Sequence, residues 1–245
     1  MVSNSENSTK SDNSTWRAIC LTLFPELFPG PLGASVTGTA LDKGLWALDT
    51  INFRDFATDK HRSVDDTPAG GGPGMVLRPD IAAKAIDTAV DLCPTARRIY
   101  LSPRGRPFDQ ALAREFAASD GLILVCGRFE GLDERVIETR QLEEVSIGDF
   151  VMTGGEMAVY CLLDAVVRLK EGVLGAQSSL DNESFENGLL EHPQYTRPRE
   201  FEGEVIPEVL LSGDHGKIEQ WRFEQSLKIT KERRPDLFQA YNSKE

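Results

Sequence analysis

Between Trp16 and Leu169, strand-like and helix-patterned runs alternate, and loops rich in Gly, Pro or Ser separate them. A chain that alternates β-loop-α-β-loop-α builds an α/β domain with a largely parallel sheet, and such sheets hold ligands at the carboxyl ends of their strands. Strands are expected over Trp16–Phe24, Leu45–Phe53, Arg97–Leu101 and Leu122–Val125. Helices are expected over Leu32–Lys43, Pro79–Cys93, Phe108–Ala118 and Gly155–Leu169, with Pro79 suited to a first turn. Three loop-rich segments sit at strand ends: Tyr100–Gly105, Cys126–Gly131 and Ser146–Glu156. Glycine lets main-chain N–H and C=O groups come close to a ligand, so the stretch from Gly121 to Glu156 is the candidate pocket.

The second strand leads into Arg54–Met75, RDFATDKHRSVDDTPAGGGPGM, which has no apolar face. A loop this long in a compact domain is either a functional element or a mobile connector. It is not a Walker A loop, since no G-K-[ST] follows, and no G-x-G-x-x-G follows the first strand. His61, His192 and His215 are scattered, with no serine or cysteine nucleophile motif beside them.

With 40% hydrophobic and 27% charged residues in 245, the chain has the composition of a soluble globular protein. It has no run long and apolar enough for a membrane span and no signal-peptide core, so a cytoplasmic protein without membrane contact is expected. Cys20, Cys93, Cys126 and Cys161 form no C-x-x-C pair and read as buried thiols. The net charge of −12 argues against coating nucleic acid by counterion release, but leaves room for a local basic surface. Arginines and lysines cluster at Arg97-Arg98, Arg104-Gly105-Arg106, Arg197-Pro198-Arg199 and Lys228 to Arg234.

Residues 1–15 are Ser-, Asn- and Thr-rich and read as a disordered tail. The α/β domain spans 16–172, a polar linker 173–188, and a small, mainly helical C-terminal domain 189–245. That last domain contains an amphipathic helix around Lys217–Arg233 and a final helix opening at Pro235.

Six motifs in order carry a resemblance. They are VDDTPAGGGPGM (64–75), IYLSPRG (99–105), LILVCGRFEGLDER (122–135), SIGDFVMTGGE (146–156), GLLEHPQYTRP (188–198) and WRFEQSL from Trp221. From Trp16 to the C-terminus the chain resembles the bacterial tRNA (guanine-N1)-methyltransferases, of the SPOUT class, which modify the guanine 3′ of the anticodon (position 37).

The resemblance implies a parallel sheet with a deep trefoil knot, a homodimer with shared active sites, tRNA as substrate and S-adenosylmethionine as methyl donor. Magnesium dependence is also associated with the family. By position the donor would lie on Tyr100, Leu101 and Ser102, on Gly127, Phe129, Glu130 and Gly131, and on Ser146, Ile147, Gly148, Gly154 and Gly155. The tRNA would meet Asp65, Gly74, His192, Tyr195 and Arg197. Guanine N1 carries a proton and is a poor nucleophile until a general base removes it, and deprotonation drives negative charge toward O6. The resemblance assigns the base to Glu183, where an aspartate is usual, and the O6 partner to Arg168; Asp181 competes with Glu183. Phe129 stands where a tyrosine is common. Two rival readings share the pocket: another SPOUT RNA methyltransferase and a non-catalytic RNA-binding protein.

Overall fold

The computed structural model describes residues 15–175 and 183–243. The chain divides into two compact units, Met1–Gly175 and Ala176–Glu245. In the first, the elements are β1 (Trp16–Thr22), α1 (Ser35–Asp42), β2 (Trp46–Asn52), β3 (Asp65–Asp66), β4 (Val76–Leu77) and α2 (Pro79–Leu92). Then come β5 (Arg97–Pro107), α3 (Gln110–Ala118), β6 (Gly121–Cys126), α4 (Glu134–Thr139), β7 (Glu143–Ser146) and α5 (Glu156–Val167). Five strands form one sheet in the order β2-β1-β6-β5-β7, every pairing parallel.

All six residues of the central strand β6 are buried, which is why its sequence is an unbroken apolar run and does not alternate. Leu122, Leu124 and Cys126 enter one core with Phe116 of α3 and Leu162, Leu163 and Val166 of α5. Ile123 and Val125 enter a second core with Ile81, Ala85 and Ile86 of α2 and Val136 of α4. Asp109 caps α3 by accepting from the Leu112 amide at 2.8 Å.

The structure departs from the sequence reading at the edge of the sheet. β5 does not end at Leu101 but continues through Ser102–Gly105 to Pro107. Val145 of β7 lies opposite Leu101 and again opposite Arg106, with the register broken between them. A Cβ at Gly105 would overlap the main chain of Glu144 and Val145. β7 and α4 have no counterpart in the sequence reading: EEVS and ERVIET are too short, and too rich in carboxylates, to display a hydrophobic period.

Those carboxylates engage the first two arginine clusters. Arg97 makes a forked contact with Glu143, at 2.9 and 2.5 Å, and Arg104 bridges Glu134 and Glu144 at 3.0 Å each. Arg106 pairs with Glu115 at 3.3 Å, and Arg98 donates to the Arg140 carbonyl. The positive charge near β5 therefore braces the sheet edge.

The second unit holds a short hairpin, β8 (Glu200–Phe201) with β9 (Glu204–Val205), and the helices α6 (His215–Arg233) and α7 (Pro235–Asn242). Only Leu189, His192 and Thr230 are buried among its described residues. Thr230 joins two segments: its hydroxyl accepts from the Leu190 amide at 2.8 Å and donates to the Ser226 carbonyl at 2.6 Å. No helix among the described residues is long and apolar enough to cross a membrane.

Gly105→Ala forces a methyl group into the main chain of β7 and is expected to cost about 1–3 kcal/mol, read as a lower urea midpoint. Burial raises the Cys20 and Cys126 thiol pKa values, so both should resist alkylation in the native protein and react on unfolding, as intact-mass measurement would report.

Candidate active site

At the carboxyl ends of β5, β6 and β7 lies a cavity of about 270 Å³ with three walls. The first runs over Tyr100–Pro103, the second over Gly127–Gly131, and the third over most of 145–155. All twelve residues expected at the donor site line this one cavity: Tyr100, Leu101, Ser102, Gly127, Phe129, Glu130, Gly131, Ser146, Ile147, Gly148, Gly154 and Gly155.

The glycines are explained by the protein's own packing, which the sequence argument from ligand approach did not foresee. A Cβ at Gly127 would sit 3.0 Å from the Tyr100 ring, and at Gly131, where φ is +104°, 2.5 Å from the Tyr100 hydroxyl. At Gly155 it would meet the Cα of Cys126 at 2.8 Å. Two walls thus close on the Tyr100 ring and on the end of β6. Burial pushes the Tyr100 phenol pKa up, and its oxygen accepts from the Leu132 amide at 3.3 Å. Phe129 holds φ at +59°, a strained value for a residue with a side chain, and is half exposed at the cavity.

Behind the second and third walls is an ionic network that sequence reasoning missed. Glu156, at the first turn of α5, is 1% exposed. It accepts from the Thr22 hydroxyl at 2.6 Å and pairs with Arg128 at 2.8 Å. Arg128 also donates to the Thr153 carbonyl at 3.3 Å and stacks on the Phe24 ring at 4.5 Å. The only signal in the sequence was a charge of opposite sign in each glycine-rich loop, the Arg of CGRFEG and the Glu of TGGE.

The long loop after β2 is anchored at both ends, while Gly70–Gly72 between them stand in open space. Its end is bonded to the second wall: the Glu130 amide donates to the Met75 carbonyl at 2.8 Å and the Leu77 amide to the Gly131 carbonyl at 2.9 Å. Gly74 lies so near Glu130 that a Cβ would overlap the carboxylate. Asp65 stands opposite Leu77 in the β3–β4 pair. Val64 is fully buried, its carbonyl accepting from the Arg78 amide at 2.8 Å. The Arg78 guanidinium reaches the Ser63 carbonyl at 3.3 Å, Asp80 at 2.8 Å and Asp59 at 3.6 Å. Arg78 holds the Asp80 carboxyl below the usual range.

The remaining expected residues lie elsewhere. Arg168 is the half-buried C-cap residue of α5 in the first unit. Glu183 belongs to the second unit, where it lines a cavity with Asn187, His192, Arg222, Phe223 and Tyr241. Asp181 lies outside the described residues. His192 is 9% exposed. The Gln194 side-chain amide donates to Glu191 at 2.5 Å, and the same nitrogen lies 3.4 Å from Nδ1 of His192. Tyr195, half exposed, packs on Trp221 with ring centroids 6.2 Å apart, and Arg197 is exposed two residues on. Among the described residues, no group of three or more His, Cys, Asp or Glu side chains is placed to hold a metal ion.

Comparison with known proteins gives a consistent result. The family described as tRNA (Guanine-1)-methyltransferase TrmD matches residues 17–240. A tRNA (guanine-N(1)-)-methyltransferase of Rhodopseudomonas palustris (strain TIE-1) is 62% identical over 226 residues, covering 92% of this chain and 91% of the relative. Proteins of the same name from Mesorhizobium japonicum and Rhizobium etli are 61% and 58% identical, covering 93% of this chain each and 98% and 97% of their own lengths.

Arg78→Ala should release the 54–77 loop without unfolding the domain. Limited proteolysis within residues 54–74 is expected to quicken severalfold, while the urea midpoint of global unfolding changes little.

Proposed function

The chain belongs to the tRNA (guanine-1)-methyltransferase family, and from that premise we propose that it transfers a methyl group from S-adenosylmethionine to N1 of the guanine next to the anticodon in tRNA, at position 37. One observation carries the assignment of the donor site: three separate stretches of family-like sequence converge as the walls of a single cavity at the strand ends. The cavity suits a small, cationic, hydroxyl-bearing molecule, since main-chain groups line much of it and Glu130 supplies a carboxylate.

The donor, when bound, supplies a methyl group already activated on a sulfonium. What the protein must add is a nucleophile. Glu183 takes the proton from guanine N1, and Arg168 offsets the charge that then develops at O6. The aspartate-to-glutamate difference retains the carboxylate and lengthens its reach, and Asp181 remains the competing base. From the family resemblance the reading takes the active site as shared in a homodimer, the knot of one subunit facing the linker and C-terminal region of the other.

The tRNA must present its base unstacked. The Asp65–Gly74 loop, His192, Tyr195 and Arg197 would meet it, with the His192 imidazole able to hydrogen-bond a base edge. In this reading residues 16–172 bind the donor, 173–188 link, and 189–245 bind tRNA; the division between Gly175 and Ala176 is in keeping with that arrangement. The family resemblance carries the trefoil knot, and the second pairing of Val145, with Arg106 after Leu101, is in keeping with an irregular path of the chain there. A cytoplasmic location follows from the substrate. No step uses magnesium.

Incubation of the protein with unmodified tRNA and isotopically labelled donor, followed by mass mapping, should place one methyl group on N1 of the guanine 3′ of the anticodon. Transfer to a ribose, to another base or to nothing would overturn the reading. Glu183→Ala should lower kcat by about 10²- to 10⁴-fold with donor affinity retained. Arg168→Ala should lower it by about 10²- to 10³-fold. Arg197→Ala should weaken tRNA binding and leave donor binding alone; equal tRNA affinity would remove that residue from the substrate surface.

A further inference from the structure

The ion pair behind the donor cavity does more than fill the core. Glu156 is a carboxylate with 1% exposure, and Arg128, 20% exposed at its side chain, reaches it from the cavity side. The Thr22 hydroxyl donates to Glu156 and accepts from the Phe24 amide at 3.0 Å, so the end of β1 joins the network. Arg128 spreads its nitrogens over three tasks: Nε donates to Glu156 Oε1 at 3.3 Å, one terminal nitrogen forms an ion pair with Oε2 at 2.8 Å that is not aligned as a hydrogen bond, and the other terminal nitrogen donates to the Thr153 carbonyl. Gly154 leaves room for the guanidinium, which a Cβ there would overlap. The one main-chain tie here is the Gly155 amide to the Gly127 carbonyl, at 3.0 Å.

We infer that Glu156 is a positioning residue for methyl transfer: it orients Arg128, and Arg128 latches the 150–154 segment to the 127–131 loop, so that the pair sets the separation of two walls of the donor cavity. This rests on the donor-site reading given above. A lysine at 128 keeps the ion pair but has one ammonium for a task that uses three nitrogens in a fixed plane. A carboxamide at 156 keeps the shape but removes the charge that holds the guanidinium in place.

The test compares wild type with Arg128→Gln, Glu156→Gln, the double variant and Arg128→Lys. It reads S-adenosylmethionine Kd by calorimetry, the KM of donor and of tRNA, kcat at saturating donor, and Tm. Each Gln variant should raise donor Kd and KM by about tenfold to hundredfold, the range seen when outer-shell partners are removed, with tRNA KM unchanged and kcat recovered at high donor. The double variant should lose no more than the worse single, because one latch is broken either way. Arg128→Lys should restore Tm without restoring donor affinity, a split that a merely structural ion pair would not give. If Glu156→Gln does not fold, Arg128→Gln, on the partly exposed side of the pair, carries the same measurement. Unchanged donor Kd in a folded variant, additive losses in the double variant, or a defect confined to kcat overturns the latch alone. Wild-type protein that binds no S-adenosylmethionine overturns the latch and the donor-site reading together.

Discussion

The geometry of the first unit depends on main chain lying against main chain. Gly105 rests on the backbone of Glu144 and Val145, and Gly155 rests on the Cα of Cys126. Contacts this close admit no side chain between them, so the segments on either side are held at backbone distance. The cavity loop that carries Gly155 is thereby seated on the end of β6. A site built on rigid elements keeps its geometry better than one built on free loops, and here that loop acquires its rigidity from the sheet beneath it.

Inside this frame the charges are arranged to brace and not to attract. The chain has 39 acidic against 27 basic residues, and the arginines near β5 are bound to glutamates on α4, α3 and β7. A protein of such balance gains little from non-specific attraction to phosphate. On the reading proposed above, recognition of tRNA would rest on shape and on a few directed groups, such as His192 and Tyr195, more than on a field.

Much of the fold was legible because burial leaves a period. Leu122–Val125 has no polar residue because helices cover both faces of β6, and the Pro79 helix begins at its proline. What escaped reading had no period to show. β7 is four residues at a sheet edge, and its glutamates serve arginines across the pairing. The continuation of β5 through Ser102–Gly105 was hidden because Pro and Gly there mark a strand whose register is broken, a pattern indistinguishable from a loop in one dimension. The cavity lining was readable through resemblance, residue by residue. The Glu156–Arg128 pair was not, since a buried ion pair exists only as a distance between positions 28 residues apart.

The second unit, with three buried residues among those described and Phe185, Tyr195, Phe201 and Phe223 about half exposed or more, has almost no interior of its own. Little of its stability can come from apolar side chains buried within it. Any molecule that binds the folded form raises its stability by RT ln(1 + [L]/Kd), so a unit with so thin an interior has the most to gain from being occupied.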